Sequence, residues 1–480
     1  MIKVTDQRSQ INVAKAYSSG QEHIFDWWDE LSEKERKNLL SQLDMIDFQL
    51  IDSLSKQFQT KQKTPIIIKS LQPNDIIRIP QTEEEIKGEA EVSVVGESVL
   101  RANKVALFTV AGGQGTRMNA TEPKGITPIT PVTGKSLFQL FAENIMALRK
   151  KYDATLPWYI MTSDATDKRT KEFFSENNYF GMAKVQLTFI KQGMLPAVDR
   201  RGKILLNSKD SLYLAPNGHG GAISALGENN ILDDLISKGY SHLFYFQVDN
   251  PLIRIADPAF IGYHESAKAD ITSKVVWKRK PEEKLGVYCI LNDKVSIVEY
   301  IEMNDTEAQK VDEKGTLVFG AGSIAVHVFN INFLQNLWRE GVRLPYHVAH
   351  KVVPHISKQG NLVTPDKSNA YKFEMFVFDL CKYSSKTLIV ETRREEEFSP
   401  VKNAAGQDTA KTASRDLSNL YACRLENAGF SVPRKSDGSV NCKIEISPLH
   451  SIDKNELHKK IASAQEKPQL SPGGKFYLHE

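Results

Sequence analysis

The feature that most constrains the fold is an apolar run that leads directly into a glycine-rich loop. Residues 105–110 (VALFTV) are continuously apolar, as expected for a strand covered on both faces of a parallel sheet. Residues 111–118 (AGGQGTRM) follow at once. Glycines let the backbone approach a phosphate closely, and successive N–H groups in such a turn bind anions. The pattern predicts an α/β protein with a phosphate-binding loop, although a tight turn without a ligand is the structural alternative.

Two cations stand at fixed offsets after these glycines. Arg117 offers a planar guanidinium fork for phosphate oxygens, and Lys124, in the segment EPKG, adds a mobile point charge. An amide-rich loop and two cations suit a triphosphate, whose charge must be neutralised before a nucleophile approaches. The residues expected to line the nucleotide phosphates are Ala111, Gly112, Gly113, Gln114, Gly115 and Thr116.

Two commoner phosphate loops do not match this sequence. A dinucleotide-binding GxGxxG motif needs a glycine three residues after Gly115, where Met118 stands. Gly134-Lys135-Ser136 ends like a Walker A loop, but that motif needs a glycine where Ile129 stands. The loop therefore belongs to neither class.

The remaining pattern alternates between helix and strand. Residues 138–148 have helical apolar spacing, and short apolar runs recur at 158–161, 185–190 and 243–248. This alternation predicts a three-layer α/β sandwich with ligands beyond the carboxyl ends of its strands. We expect an N-terminal helical segment (1–100), a catalytic domain (101–382) and a small mixed C-terminal domain (383–480). The helical segment is either a structural cap or a partner-binding pair of helices.

Composition excludes several classes of function. The 480 residues carry a net charge of only +3 and no dense basic run, which argues against binding to nucleic acid or a membrane surface. There is no apolar leader and no run of 18 apolar residues, so the expected location is the cytoplasm. The cysteines are scattered, which favours free thiols over disulfides or a metal site: Cys289, Cys381, Cys423 and Cys442. The sequence leaves the oligomeric state open.

The segment GGQGTRM followed by Pro123-Lys124 resembles the signature of sugar-nucleotide pyrophosphorylases. Over nearly its full length the chain is similar to the eukaryotic-type UDP-N-acetylglucosamine pyrophosphorylase family. Within the signature there is one departure, Asn119, where a glycine is usual. Asparagine tolerates left-handed backbone conformations, so little consequence is expected. Further segments match in the family's order and spacing: 20–23 (GQEH), 158–163 (WYIMTS), 192–197 (QGMLPA), 248–250 (VDN), 298–300 (VEY), 398–403 (FSPVKN) and 445–449 (EISPL).

The resemblance implies a Rossmann-like nucleotidyltransferase fold and a uridylyltransferase. The expected reaction joins UTP to N-acetylglucosamine 1-phosphate, or a related hexose 1-phosphate, and releases pyrophosphate. The implied catalytic cations are Arg117, Lys124 and Lys402. Asp249, at the end of the apolar run 243–248, is implied to hold Mg²⁺. The resemblance further places Gln192 and Gly218 at the uracil base and His219, Glu299, Gly320 and Ser323 at the sugar.

Without the resemblance, these residues have ordinary alternatives. Gln192 reads as a turn residue, and Asp249 as the cap of the next helix. Glu299 and Lys402 read as solvated surface residues. A non-catalytic UDP-sugar-binding protein is a further alternative, but a degenerate relative usually loses its charged groups, and here they are intact.

Three positions separate this chain from its apparent family. His219 stands where the N-acetylglucosamine enzymes usually have asparagine, and Gly320 and Ser323 replace two asparagines of a later motif. His219, within GHG, instead resembles the loop of glucose 1-phosphate uridylyltransferases. Two sugars therefore stay open: glucose, or N-acetylglucosamine held by compensating backbone groups.

Overall fold

The computed structural model describes residues 1–60, 67–72, 75–113, 115, 122–462 and 470–479, without the side chains of 58–60 and 462. The chain forms two compact units. The first contains Met1–Ile67, Gln192–Ser224 and Arg343–Asp379, and the second contains Ile68–Lys191, Ala225–Val342 and Leu380–Glu480. These units group the chain differently from the three segments expected from the sequence.

The helices are distributed over both units. They are α1 (Gln7–Ser18), α2 (Glu33–Leu43), α3 (Phe48–Thr60), α4 (Glu83–Arg101), α5 (Leu137–Tyr152), α6 (Asp164–Glu176), α7 (Ala222–Glu228), α8 (Ile231–Ser237), α9 (Pro258–Ala267), α10 (Asp305–Ala308), α11 (Ile331–Arg339), α12 (Arg394–Glu397), α13 (Ala410–Asn427) and α14 (Lys454–Ala462).

The strands are β1 (Ile76–Ile77), β2 (Val105–Val110), β3 (Trp158–Thr162), β4 (Leu187–Lys191), β5 (Met194–Pro196), β6 (Leu206–Ser208), β7 (Ser211–Leu212), β8 (Leu214–Pro216), β9 (His242–Gln247), β10 (Ile271–Trp277), β11 (Val287–Leu291), β12 (Lys294–Val298), β13 (Ala321–Asn330), β14 (Tyr346–Lys351), β15 (His355–Ile356), β16 (Leu362–Val363), β17 (Ala370–Met375), β18 (Thr387–Glu391), β19 (Lys443–Ile446) and β20 (Lys475–Leu478).

The central sheet lies in the second unit. Its order is β1-β18-β10-β13-β9-β2-β3-β4, and the hairpin of β11 and β12 joins it through β13. Neighbours are parallel from β1 to β10 and from β9 to β4, whereas β13 is antiparallel to both of its neighbours. The α/β prediction is confirmed. Because β13 is antiparallel to both β9 and β10, these two neighbours run in the same direction. The carboxyl ends of β2, β3, β9, β10 and β18 therefore lie at the same edge of the sheet.

The core of the second unit is formed by residues that are far apart in the sequence. All six residues of β2 are buried, as the apolar run predicted. Leu417 of α13 and Ile444 of β19 belong to the same hydrophobic cluster as Leu107 and Phe138. Residues expected in a separate C-terminal domain therefore complete this core, and β18 lies within the central sheet.

The first unit buries the N-terminal helices. Their apolar faces pack with Val198, Leu206 and Phe373 in one cluster. Within the segment 1–100, expected to be helical, Glu22–Phe25 and Trp28–Glu30 form two 3-10 turns, and their aromatic side chains pack into this cluster. Gln21, in the GQEH segment, donates to the Gly202 carbonyl at 2.8 Å and accepts from the Ile204 amide at 2.9 Å. In this fold, the GQEH segment has a structural role, because it connects the N-terminal residues to the segment 202–204.

Candidate active site

The start of the glycine loop is fixed by the neighbouring strand. The Ala111 amide donates to the Met161 carbonyl at 2.7 Å. The Ser163 hydroxyl, at the end of β3, donates to the Gly112 carbonyl at 2.8 Å. Gly115 has a φ of 59°, the left-handed region that glycine favours. The predicted residues Gln114, Thr116 and Arg117 lie outside the described part of the chain.

Lys124 and Asp249 meet at this edge of the sheet. Lys124 opens a 3-10 turn (Lys124–Ile126), and Asp249 follows β9 by two residues. The Lys124 Nζ lies 3.2 Å from Asp249 Oδ2, and the two side chains are 15% and 17% exposed. The next helix, α9, begins only after Asp257, so Asp249 does not cap it. The structure therefore brings one predicted phosphate cation and the predicted metal ligand together.

The segment that carries Lys402 is bonded to the loop that carries Asp249. The Val401 amide donates to the Asp249 carbonyl at 2.8 Å. Asn250 donates to the Glu397 carbonyl at 2.7 Å and accepts from the Ser399 amide at 3.1 Å. Asn250 belongs to the VDN segment but was not among the predicted site residues. The two hydrogen bonds of Asn250 hold the segment that leads to Lys402 beside the loop that carries Asp249.

A buried cluster of charged side chains lies next to the segments that carry Asp249 and Lys402. Lys274, in the middle of β10, lies 2.7 Å from Asp257 and 2.6 Å from Glu397, and these side chains are 2%, 5% and 3% exposed. Burial would raise the pKa of the Asp257 carboxyl, but Arg254 and Lys274 hold that pKa below its ordinary value. No local pattern predicts this cluster, because its members are far apart along the chain.

Two of the predicted sugar residues lie on either side of Gly286. The Ser323 amide donates to the Gly286 carbonyl at 2.9 Å. A Cβ added at Gly286 would lie 2.8 Å from Glu299 Oε1, so that carboxylate packs directly against the glycine. The Ser323 hydroxyl accepts from the Ala325 amide at 3.3 Å. Glu299 and Ser323 thus both lie next to Gly286.

Gly320 differs from what the family pattern suggested. A Cβ at Gly320 would lie 2.1 Å from Nε1 of Trp277, so the indole fills the space that a side chain would need. The Lys278 amide holds the Gly320 carbonyl at 2.8 Å. Residue 320 therefore offers no side chain to a ligand, and its carbonyl is already bonded to the Lys278 amide. Trp277 was not predicted, because its contact with Gly320 arises only from the pairing of β10 with β13.

In the first unit, Gln192 and Gly218 come together through Asn217. The Asn217 amide donates to the Gly193 carbonyl at 3.0 Å, and β5 pairs with β8 directly beyond this point. Gly218 has a φ of 86°, and an added Cβ there would lie 2.4 Å from the Met375 carbonyl oxygen. The glycine loop 217–221 thus approaches the backbone of 375–377 more closely than any side chain permits. Asn217, packed between Gly193 and Gly221, was missed by sequence reasoning.

His219 has a defined hydrogen-bonding state. Its Nδ1 accepts from the Val377 amide at 3.1 Å, so the proton of the neutral ring is on Nε2. The ring stacks on Phe376 at 5.2 Å between centroids and contacts Phe378 at 5.7 Å. Burial lowers the pKa of His219 to about 4; Asp379 opposes this shift and His347 adds to it. At neutral pH His219 therefore offers an uncharged N–H donor.

The suspected Walker A segment is structural. Lys135 lies 2.7 Å from the Glu143 carboxylate and donates to the Tyr477 hydroxyl at 3.0 Å. The Ser136 hydroxyl caps α5 by accepting from the Gln139 amide. Both groups are committed within the protein, in agreement with the exclusion of a P-loop.

Comparisons with known proteins identify the family. The profile described as "UTP--glucose-1-phosphate uridylyltransferase" matches residues 48–462, and the chain belongs to this family. It is 38% identical over 421 residues (84% of this chain, 82% of the relative) to the UDP-N-acetylhexosamine pyrophosphorylase-like protein 1 of Xenopus tropicalis. It is 35% identical over 430 residues (86% and 90%) to the UDP-N-acetylglucosamine pyrophosphorylase of Saccharomyces cerevisiae.

A solved structure extends the similarity to the whole fold. The uridine diphosphate N-acetylglucosamine pyrophosphorylase of Trypanosoma brucei, determined with an inhibitor, superposes with a TM-score of 0.83 at 25% identity. The match covers 100% of this chain and 99% of that one. In the described part of the chain, no helix is long and apolar enough to cross a membrane.

Proposed function

We propose that this protein is a uridylyltransferase that converts UTP and N-acetylglucosamine 1-phosphate into UDP-N-acetylglucosamine and pyrophosphate. The yeast and trypanosome relatives are named UDP-N-acetylglucosamine pyrophosphorylases, and the Xenopus relative is named UDP-N-acetylhexosamine pyrophosphorylase-like. The observation that carries the proposal is the Lys124–Asp249 pair beside the glycine loop, where β2 and β9 end. Ligands of open α/β sheets bind at this edge.

The reaction needs no covalent enzyme intermediate. An oxygen of the sugar phosphate forms a bond to the α-phosphorus of UTP, and the bond from that phosphorus to the bridging oxygen of pyrophosphate breaks. The electron pair leaves with pyrophosphate. The attacking phosphate is already anionic, so no strong base is required. We assign neutralisation of the phosphate charge to Lys124, Lys402 and Arg117, and catalysis rests on positioning and electrostatics.

Asp249 fits a magnesium ion. In the described part of the chain, no cluster of three His, Cys, Asp or Glu side chains is arranged to hold a metal. Mg²⁺ is suited to such a place, since it takes one or two carboxylates and fills its remaining positions with phosphate oxygens and water. Bound at Asp249, it would neutralise phosphate charge and polarise the phosphoryl group.

For the other ligand groups we assign Gln192 and Gly218 to the uracil base. A side-chain amide pairs with the donor and acceptor pattern of a pyrimidine edge. Glu299 accepts from sugar hydroxyls, and His219 donates through Nε2–H. The first assignment is supported by the contact of the two loops through Asn217, and the last by the tautomer that Val377 fixes.

Glucose 1-phosphate is the second candidate substrate. It is favoured by the absence of a side chain at Gly320, whose space Trp277 occupies, because an acetamido group loses a partner there. We further assign the reaction to the cytoplasm, which the free thiols Cys289, Cys423 and Cys442 support.

The test is release of pyrophosphate with UTP, magnesium and a panel of sugar 1-phosphates. We expect turnover with N-acetylglucosamine 1-phosphate, and the ratio of kcat/KM values decides between the two sugars. ATP, CTP and GTP in place of UTP are the matched controls for the base. No pyrophosphate release with any sugar 1-phosphate would exclude the proposal.

A further inference from the structure

A cavity of about 360 Å³ lies in the second unit where β1, β10 and β18 end. Four arginines line it, Arg78, Arg279, Arg393 and Arg394, against two glutamates, Glu391 and Glu395. Ligand pockets begin at about 300 Å³, so its volume suits a small molecule. The excess of positive charge suits an anion.

Three of these arginines have a carboxylate partner, whereas Arg279 has no carboxylate within ion-pair distance in the described part of the chain. Arg78 Nε lies 2.8 Å from Glu391, and Arg394 Nη1 lies 2.8 Å from Glu283. Even so, burial lowers the pKa of the Arg394 guanidinium against the pull of Glu283, and the like charge of Arg279 acts in the same direction. Arg393 approaches Glu396 only to 3.5 Å, with both side chains exposed. A bound anion would relieve the repulsion between the Arg279 and Arg394 guanidinium groups.

Trp277 gives the cavity an aromatic wall. The Arg78 guanidinium lies 4.2 Å from the centroid of its ring. Stacked arginine and indole groups bind a planar or cyclic body next to a charge. The arginine guanidinium groups suit a phosphate, and the Trp277 indole suits a small organic ring. Together they fit one class of ligand, a phosphate monoester of a small organic molecule.

Trp277 also contacts the segment assigned to the sugar. Its Nε1 occupies the space of a side chain at Gly320, three residues before Ser323. The two strands are paired at this point, with Trp277 opposite Ala321. A ligand that moves the indole therefore moves the backbone of 320–323.

We propose that this cavity is a second binding site, for a phosphate monoester such as a hexose 6-phosphate, and that its occupant acts on the sugar segment through Trp277. The binding itself is independent of the proposed function, whereas the effect on sugar kinetics rests on it. By reciprocity, the sugar 1-phosphate and the second ligand change each other's affinity by the same factor.

Calorimetric titration of the full chain with glucose 6-phosphate tests the binding. UDP-N-acetylglucosamine is kept present so that the active site is occupied, and unphosphorylated glucose and inorganic phosphate are titrated alongside. We expect saturable binding of glucose 6-phosphate that the double variant R279A/R393A weakens by about tenfold or more, because two guanidinium contacts are lost. Both arginines are exposed, and Arg415→Ala, also at an exposed position, is the matched control.

The proposal is overturned if glucose 6-phosphate does not bind at millimolar concentration or binds R279A/R393A as well as the wild type. Equal affinity for inorganic phosphate and glucose 6-phosphate would overturn the role of the indole wall. The coupling is measured as the shift in KM for the sugar 1-phosphate, which should disappear in R279A/R393A and persist in Arg415→Ala. An enzyme that makes no UDP-sugar refutes the proposed function but leaves the calorimetric result standing.

Discussion

The Lys124 ammonium lies 3.2 Å from the Asp249 carboxylate, although the two residues are 125 positions apart in the sequence. Both side chains are largely buried at the mouth of the glycine loop. In such surroundings opposite charges interact more strongly than in water, and each keeps the other in place. In the proposed reaction, Asp249 faces the metal ion and Lys124 faces the phosphate groups.

Lys124→Ala should lower kcat by a factor of about 100 or more. Removing one group that stabilises charge in the transition state typically costs about 3 kcal/mol. Steady-state turnover with saturating substrates is the measurement, and thermal unfolding checks the fold. Lys168→Ala, at an exposed position, is the matched control. A well-folded Lys124 variant with normal kcat would contradict the assignment.

Asp249→Asn should lose activity and recover part of it as magnesium is raised. The amide keeps the shape of the side chain but removes the charge that attracts the ion. Activity is measured against magnesium concentration for the variant and for Asp234→Asn, a surface control. If the Asp249 variant titrates with magnesium as the wild type does, the metal is held elsewhere.

Restoring asparagines at two positions should shift sugar preference. We expect His219→Asn with Ser323→Asn to raise the ratio of kcat/KM for N-acetylglucosamine 1-phosphate over glucose 1-phosphate by about tenfold. Gly320→Asn is left out because Trp277 occupies its space. If the wild-type enzyme strongly rejects glucose 1-phosphate, the residues at positions 219, 320 and 323 do not change the sugar specificity that is usual in the family.

His219 should stay uncharged across the working pH range. Its pKa is lowered to about 4, so above about pH 5 it remains a neutral donor, and protonation is confined to more acidic solution. The ratio of kcat/KM between the wild type and His219→Asn should therefore be flat from pH 6 to pH 9, since the titration of the substrate phosphate cancels in the ratio. A step in this ratio near pH 6.5 would show that the imidazole titrates normally.

Lys274→Met should destabilise the fold by about 3–5 kcal/mol, because it leaves Asp257 and Glu397 as buried, partly uncompensated charges. Urea unfolding measures the loss. The double variant K274M/E397Q removes one charge of each sign and should recover part of the stability. Equal stability of Lys274→Met and the wild type would show that water or Arg254 already compensates the carboxylates.

The sequence predicted those parts of the fold that local patterns determine. The buried run 105–110, the helix after Ser136 and the strand at Trp158 appear as expected. Asp249 could be placed correctly because a strand end fixes its location without any knowledge of its neighbours. Asn250, Asn217 and Trp277 were missed because their importance depends on partners brought close only by tertiary packing. Glu22–Phe25 and Trp28–Glu30 form 3-10 turns within the segment expected to be helical, because tertiary packing of their side chains into the first unit's core overrides the local pattern.

The position of β18 has a consequence for how the protein is made. This strand lies between β1 and β10, yet its residues, Thr387–Glu391, are synthesised some 300 positions after β1. Until the ribosome reaches them, β10 has an open edge and β1 has no partner. Such long-range pairing folds slowly and leaves an edge exposed to other chains. Premature termination before residue 387 should therefore yield an aggregating polypeptide rather than a smaller working protein.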